Sequence, residues 1–251
     1  VHTFDKCFFM PSDLTAGLEY NRDRLKDNMW GYNRHTDQTV NIYSAFLQNE
    51  WKNDRWGILI GGRLDKHNMV DNVIFSPRAN LRFNPTQNIN LRLSYSSGFR
   101  APQAFDEDMH IENVGGTVAM IERAKDLKEE KSQSFSVSAD MYHRFGAFQT
   151  NLLIEGFYTR LTDVFVLGKP YDRGDGILVK TRSNGPGAKV MGLTLEGKVA
   201  YLSILQIQAG LTLQRSRYDE PHKWHDDAPA EKKIFRCLLY TSPSPRDTER
   251  S

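Results

Sequence analysis

The chain alternates. Between residues 134 and 145 the odd positions read Phe135, Val137, Ala139, Met141, His143 and Phe145, and the even ones Ser134, Ser136, Ser138, Asp140, Tyr142 and Arg144. A period of two belongs to an extended strand, whose successive side chains point to opposite faces. The same split recurs at Leu205, Ile207, Ala209, Leu211 and Leu213 against Gln206, Gln208, Thr212 and Gln214, and at Ile89, Leu91, Leu93 and Tyr95 against Asn90, Arg92, Ser94 and Ser96. Further copies cover residues 14–21, 56–65, 73–83, 148–158 and 191–201, with a blurrier one at 39–51. Nine strands are predicted, most of about ten residues or more, long for a globular sheet.

Any antiparallel sheet with one dry face alternates, so the connections decide between architectures. Short turns are expected at 52–54, 84–87, 146–147 and 202–203, and long loops at 22–38, 98–131, 162–188 and 216–232, with 66–72 the one modest member of the long set. Tight turns on one side and long loops on the other are the habit of outer-membrane barrels. Aromatic residues agree. In the apolar register Trp56, Phe83, Phe145, Phe148 and Tyr201 lie within a few residues of a short turn, and Tyr20, Tyr95 and Tyr158 lie near the long-loop ends. Phe148 to Tyr158 spans roughly 33 Å of strand at about 3.3 Å per residue. Tilted by about 40°, that covers roughly 25 Å along the membrane normal, the height of a lipid-facing band. The predicted fold is all-β: an antiparallel transmembrane β-barrel, incomplete, with about 9–11 strands.

Composition narrows the alternatives. With 251 residues, 39% hydrophobic, the chain has no apolar run long enough for a transmembrane helix. A net charge of +2 from 33 basic and 31 acidic residues, without a basic stripe, argues against nucleic acid as a partner. Cys7 and Cys237 supply neither a disulfide framework nor a metal-ligand spacing. No signal peptide opens the chain at Val1, although a barrel of this kind is exported, so the start of the native protein is expected further upstream. Residues 1–236 read as barrel. A new strand begins at Lys233, Ile234, Phe235 and Arg236, alternation stops after it, and 237–251 reads as a non-native or disordered tail.

The polar register carries Arg78, Arg82, Arg92, Arg144, Glu155, Glu196 and Lys198, too much charge for the narrow interior of a barrel closed from nine strands. A wide lumen, wet or plugged, is expected. In the loop after residue 100, Asp106, Glu107, Asp108, His110 and Glu112 offer oxygen donors of the kind hard cations favour, but the spacing fits no defined cation loop. They read as a solvated loop, as do His222, His225, Asp226 and Asp227, and no metal site is predicted. Arg173-Gly174-Asp175 reads as a turn. Pro77, mid-strand in the apolar register, calls for a bulge. His143, two residues from Phe145, is placed at the interface, in contact with lipid or neighbouring side chains.

Two stretches carry a family resemblance. Phe75-Ser76-Pro77-Arg78-Ala79-Asn80-Leu81-Arg82-Phe83-Asn84-Pro85 and Leu91-Arg92-Leu93-Ser94-Tyr95-Ser96-Ser97-Gly98-Phe99-Arg100-Ala101-Pro102 resemble a strand pair and the following loop of TonB-dependent outer-membrane receptors. Phe46-Leu47-Gln48-Asn49-Glu50-Trp51 with Gly62-Arg63-Leu64-Asp65, and Gly192-Leu193-Thr194-Leu195-Glu196, resemble neighbouring strands, so the similarity covers about residues 13–236. The resemblance implies a barrel of about 22 strands around an N-terminal plug. It implies outer-membrane lipid of a Gram-negative bacterium as surroundings, a small molecule or metal chelate such as a ferric siderophore, haem or cobalamin as ligand, and the TonB energy-coupling complex as partner. Neither plug nor TonB box is visible, so TonB would be met through a missing N-terminal part, and this polypeptide alone should transport nothing. No cofactor is implied. Candidates for contact with the ligand are Arg100, Asp106, Asp108 and His110.

Three classes of function compete: a receptor-transporter, a passive porin or structural barrel, and an outer-membrane hydrolase. The hydrolase needs a nucleophile or acid/base group beside a His at the loop rim. None can be assembled from the sequence, so no enzymatic activity is expected, and the loop motif favours the receptor. An apolar outer face and unpartnered terminal strands predict that the isolated chain aggregates in water and disperses only in detergent. Size-exclusion chromatography with and without detergent tests this, and a monodisperse species in plain buffer overturns the membrane reading.

Overall fold

A computed structural model describes residues 1–32, 34–103, 112–114, 117–174, 177–202, 204–222 and 231–241. Eleven strands form one sheet: β1 (His2–Cys7), β2 (Met10–Met29), β3 (Arg34–Lys52), β4 (Trp56–His67), β5 (Ile74–Thr86), β6 (Ile89–Arg100), β9 (Glu130–Phe145), β10 (Phe148–Thr162), β14 (Ala188–Tyr201), β15 (Leu205–His222) and β16 (Glu231–Thr241). Each pairs antiparallel with the next in that order, so β1 and β16 are the edges of an unclosed wall. The missing numbers belong to a second, small sheet of β7 (Glu112–Val114), β8 (Thr117–Arg123), β11 (Phe165–Leu167), β12 (Tyr171–Asp172) and β13 (Leu178–Asn184). It is drawn from the two long connections between β6 and β9 and between β10 and β14.

The ladders carry one register across the wall. Ile58, Leu81, Leu93, Val137, Gly156, Leu193 and Leu213 are successive cross-strand partners on β4, β5, β6, β9, β10, β14 and β15. This apolar face is bare: Val137 is 57% exposed, Ile207 60% and Leu18 88%, with no second sheet or helix over them among the described residues. Side chains so apolar and so uncovered need a non-aqueous solvent, which is the lipid-facing surface of a transmembrane barrel. At the short-turn end Trp56 stacks on Phe83 at 4.2 Å, and Phe148 lies 5.6 Å from Phe145 and 4.9 Å from Tyr201, forming the expected girdle. At the long-loop end Tyr20 stacks on Tyr43 with ring centroids 4.8 Å apart, and the Tyr95 ring lies tilted against Phe135 at 4.7 Å.

Arg78, Arg82, Arg92, Arg144, Glu155, Glu196 and Lys198 all fall in the opposite, inward register, as expected. On that face Phe46 lies over Gly17 and Phe157 over Gly192, where any Cβ would collide with the ring. A strand glycine is weak unless a neighbouring side chain covers it, and a cross-strand aromatic does so.

Several expectations need correction. β1 has no counterpart among the nine expected strands, because six residues with Asp5 and Lys6 among them show little alternation. Within 22–38, residues 22–29 and 34–38 are strand instead of loop: β2 and β3 stay paired from Ser12↔Trp51 to Met29↔Arg34. Above the membrane both faces of a hairpin meet water, so the apolar signal disappears while the backbone ladder continues. Arg24 grips Asp37 there with Nε to Oδ1 at 3.1 Å and Nη2 to Oδ2 at 2.7 Å. Pro77 causes no register shift with β4; instead the β5–β6 ladder starts only at Arg78↔Ser96, and beyond it β5 is held by β4 alone. The bulge lies lower, between Phe83 and Thr86. β16 pairs with β15 as far as Thr241, and the rest of the expected tail, 242–251, lies outside the described residues. His143 lies beside Phe145, ring centroids 5.7 Å apart.

Charge placed on the bare face should be far more costly than charge on the inner one. Val137→Arg is expected to destabilise the barrel in lipid by about 2–4 kcal/mol and Ser136→Arg by less than about 1 kcal/mol. Reversible denaturant unfolding in vesicles measures both, and equal costs contradict the assignment of faces.

Candidate functional site at the long-loop end

The segment Gly98–Gln103 organises this end of the wall. β6 stays paired with β9 through Gly98↔Ser132, Phe99↔Lys131 and Arg100↔Glu130, which carries the backbone to the rim. There the chain turns inside a small apolar cluster: Ala101, Val70 and Ile74 are buried and Phe99 packs against them. Gln103 N–H donates to the Ala101 carbonyl at 2.8 Å, tightening the turn. Pro102, which has no N–H to satisfy, offers its carbonyl to Arg123 Nη1 of β8 at 2.9 Å. The Arg100 guanidinium sits 5.6 Å from the centre of the Phe165 ring on β11. Phe165 N–H in turn donates to Glu130 Oε2 at 2.9 Å. One short motif therefore ties the β4–β5 loop and two strands of the loop sheet to the barrel wall.

His67 closes the arrangement from the other side. It is fully buried, its Nδ1 accepts the Met69 N–H at 3.0 Å, and its Nε2 reaches Gln103 Oε1 at 3.3 Å. Since Nδ1 accepts, the proton resides on Nε2 and the ring is neutral. Burial pushes the imidazole pKa below its usual 6.5, against the opposing pull of Gln103 and the Asp65 charge. Lys66 Nζ caps the same loop through the carbonyls of Val70 at 3.0 Å and Asp71 at 2.6 Å.

The loop sheet is built around a parallel pair, β8 with β13, in which Met120 and Val179 are cross-strand partners and almost fully buried. β13 also pairs with β11 and β12. Asn184 locks its end, donating from Nδ2 to the carbonyls of Lys128 at 3.0 Å and Asp163 at 2.9 Å while its Oδ1 accepts Lys128 N–H at 2.7 Å. Gly174 takes a positive φ and donates N–H to Asp172 Oδ1 at 2.8 Å, so the chain turns where a turn was expected.

Beneath the rim, the inner wall holds a network that sequence reasoning passed over. Arg63 donates from Nε to Asp65 at 2.7 Å, from Nη1 to Glu19 at 2.9 Å and from Nη2 to Ser44 Oγ at 2.7 Å, and Ser44 donates to Asp65 at 2.6 Å. Asp65 is 2% exposed, so this planar fork satisfies a nearly buried carboxylate. A groove of about 440 Å³ runs beside it, lined by Phe46, Gln48, Arg63, Ser76, Arg78 and Ser96. The signal available in sequence was Arg63 and Asp65 two apart on one strand, both in the inward register.

Of the candidates for ligand contact, the structure places Arg100 exposed at the rim, over Phe165. Asp106, Asp108 and His110 lie outside the described residues, as do His225, Asp226 and Asp227. Among the described residues no three His, Cys, Asp or Glu side chains converge as a metal site.

A family model described as TonB dependent receptor-like, beta-barrel, matches residues 2–236. The chain belongs to the TonB-dependent receptor family. The match takes in β1, ahead of the residues that carried the resemblance in sequence. No curated protein matches the chain by sequence. Solved structures like it include the siderophore receptor PirA from Pseudomonas aeruginosa, at 15% identity and TM-score 0.65, covering 89% of this chain and 49% of that one. A G324V mutant of the ferric enterobactin receptor PfeA from Pseudomonas aeruginosa is 16% identical with TM-score 0.61, covering 94% and 43%. The FrpB iron transporter from Neisseria meningitidis is 15% identical with TM-score 0.58, covering 91% and 36%. These likenesses establish the fold, and the chain spans half or less of each receptor. The TonB-dependent receptors are a family of outer-membrane receptors and transporters rather than enzymes.

The histidine latch has a pH dependence. Because folding depresses the His67 pKa, its contribution to stability is complete above about 6.5 and is lost as pH falls through the lowered value. Exchange protection of the Met69 amide, normalised for intrinsic rate, should therefore drop on acidification in the native chain and be low at every pH in His67→Ala. Protection that is flat with pH in the native chain contradicts the latch.

Proposed function

We propose that this chain is the ligand-gathering part of a TonB-dependent importer that captures a scarce small molecule or metal chelate, such as a ferric siderophore, haem or cobalamin, at the long-loop end. The carrying observation is the knitting of the loops: the Gly98–Gln103 segment joins the wall, the β4–β5 loop and the loop sheet into one ordered rim above a polar inner face. An ordered rim holds contact residues in fixed relative positions, which lowers the entropy lost on binding. The names of the similar receptors, for siderophores, ferric enterobactin and iron, support iron chelates as the first ligands to try.

In this reading Arg100 contacts an anionic chelate from the rim, and Asp106, Asp108 and His110, a few residues further along the chain, are the other candidate contacts. The lumen-facing charges mark the path of the ligand and the surface against which a plug would sit. Energy would come from the TonB complex through a part of the receptor that these residues do not include, in the outer membrane of a Gram-negative bacterium.

Uptake of radio-iron-labelled ferric enterobactin, of haem and of cyanocobalamin by cells expressing the complete receptor tests the proposal. Saturable uptake of one of them, abolished when TonB is removed, is expected. Non-saturable entry that persists without TonB would identify a passive porin instead. Arg100→Ala should weaken binding of the transported chelate about two- to fivefold, the scale of one exposed cationic contact.

A further inference from the structure

The wall opens between β5 and β6. Toward the long-loop end β4 stays laddered to β5 up to Asp65↔Ile74, and β6 to β9 up to Arg100↔Glu130, but the β5–β6 ladder ends at Arg78↔Ser96. Pro77, the next residue, has no N–H to donate to a neighbouring strand. Higher up the two sides meet again, where Ile74 and Ala101 pack with Val70 and Phe99. The break is thus closed above and below. It forms a window about 10 Å tall, the three steps from Arg78 to Phe75 at about 3.3 Å each.

Two cavities meet in this window. The cleft of about 370 Å³ on the outer side and the groove of about 440 Å³ on the inner side share Ser76 and Ser97 in their walls. Ser76 belongs to the inward register and Ser97 to the outward one, so each cavity reaches into the thickness of the sheet. Their chemistry differs. The outer cleft is bordered by Phe75, Pro77 and Tyr95, with Phe75 61% exposed and Tyr95 part of the aromatic row it forms with Phe135. The inner groove presents Gln48, Arg63, Arg78 and Ser96. Arg63 is answered by Asp65 and Glu19, whereas Arg78 makes no ion pair with a described residue, and both strands beside it are described throughout.

We propose that the window is a lateral binding site for a single-chain anionic amphiphile, its head beside Arg78 in the inner groove and its alkyl chain passing between β5 and β6 to lie against Phe75 and Tyr95. The occupant follows from the two ends. An anion without a chain gains nothing from the outer cleft, and an uncharged chain leaves the Arg78 guanidinium without the carboxylate or phosphate it suits. A lipid with two chains is too broad for an opening one ladder wide and closed at both ends. The hydroxyls of Ser76 and Ser97, with the backbone groups left unpaired on the facing edges of β5 and β6, supply hydrogen bonds to the head where it enters the wall. The assignment names chelates that carry one alkyl tail as the substrate class of the importer, and it rests on the importer reading for transport but not for binding.

Photo-cross-linking of the complete receptor in phosphatidylcholine nanodiscs tests this, with dodecanoate carrying a diazirine either beside the carboxylate or at the chain end as probes. Mass spectrometry should find the carboxylate-end probe on the inward residues Gln48, Ser76 and Ser96, and the chain-end probe on Phe75 and Tyr95. Ser97→Trp, which fills the window, should abolish inward labelling while outward labelling of Phe75 persists, the sign that the barrel is intact. Arg78→Gln should lower inward labelling about threefold, the scale of one exposed ionic contact, and Arg78→Lys should keep most of it. Carboxylate-end labelling confined to outward residues would show annular contact alone and overturn the site. Inward labelling that survives Ser97→Trp would show entry from above, and competition by acetate as strong as by unlabelled dodecanoate would show a site for soluble anions; each overturns it as well. Neither TonB nor metal enters the assay, so the window can fail while TonB-dependent uptake stands, and the reverse.

Discussion

Water is absent on one side of this sheet, and most of the structure follows from that. Backbone N–H and C=O groups in hydrocarbon find partners only in each other, so strands crossing the membrane must be continuous, paired on both sides and in a single register. The lateral row from Ile58 to Leu213 expresses the constraint: seven strands place an apolar side chain or a glycine at the same height without a slip. A shift of one residue in any of them would turn a charged lumen residue such as Arg92 or Glu155 toward lipid.

The departures from regularity occur where the constraint relaxes. Pro77 lies toward the long-loop end, and there the β5–β6 ladder has already ended, leaving a cleft of about 370 Å³ bordered by Phe75, Pro77, Tyr95, Gly98, Lys131 and Gln133. At the rim, burial is rebuilt in a different way. The membrane no longer supplies an apolar solvent, so Val70, Ile74, Ala101 and Phe99 make a small core of their own, and Met120 with Val179 make another. Chemistry is concentrated at this boundary, because rim groups are held by the wall yet open to water.

Electrostatics divides along the same lines. On the inner face Arg63 is matched by Asp65, Glu19 and Ser44, and Lys52 by Asp13 at 2.5 Å. On the outer face above the band Arg24 is paired with Asp37 at 2.7 Å and Lys189 with Asp219 at 2.9 Å. Exposed pairs such as Arg24 with Asp37 contribute little to stability, and they serve to keep the extended β2–β3 hairpin in one geometry.

Residue order alone determined the wall: its nine central strands, the face each presents, the short-turn end and the aromatic girdle follow from a period of two read against a solvent that is apolar on one side. It failed where that solvent changes. The β2–β3 extension is mostly charged or polar, with apolar residues as sparse as Leu25 and Met29 and no period of two, and strands as short as Phe165–Leu167 or Tyr171–Asp172 fall below the length at which alternation is visible. The candidate site was legible only as a motif. That Arg100 meets Phe165, that Pro102 meets Arg123 and that Gln103 meets His67 was decided by tertiary structure, since these partners lie 21 to 65 residues apart and are brought together by long connections whose path no local pattern encodes.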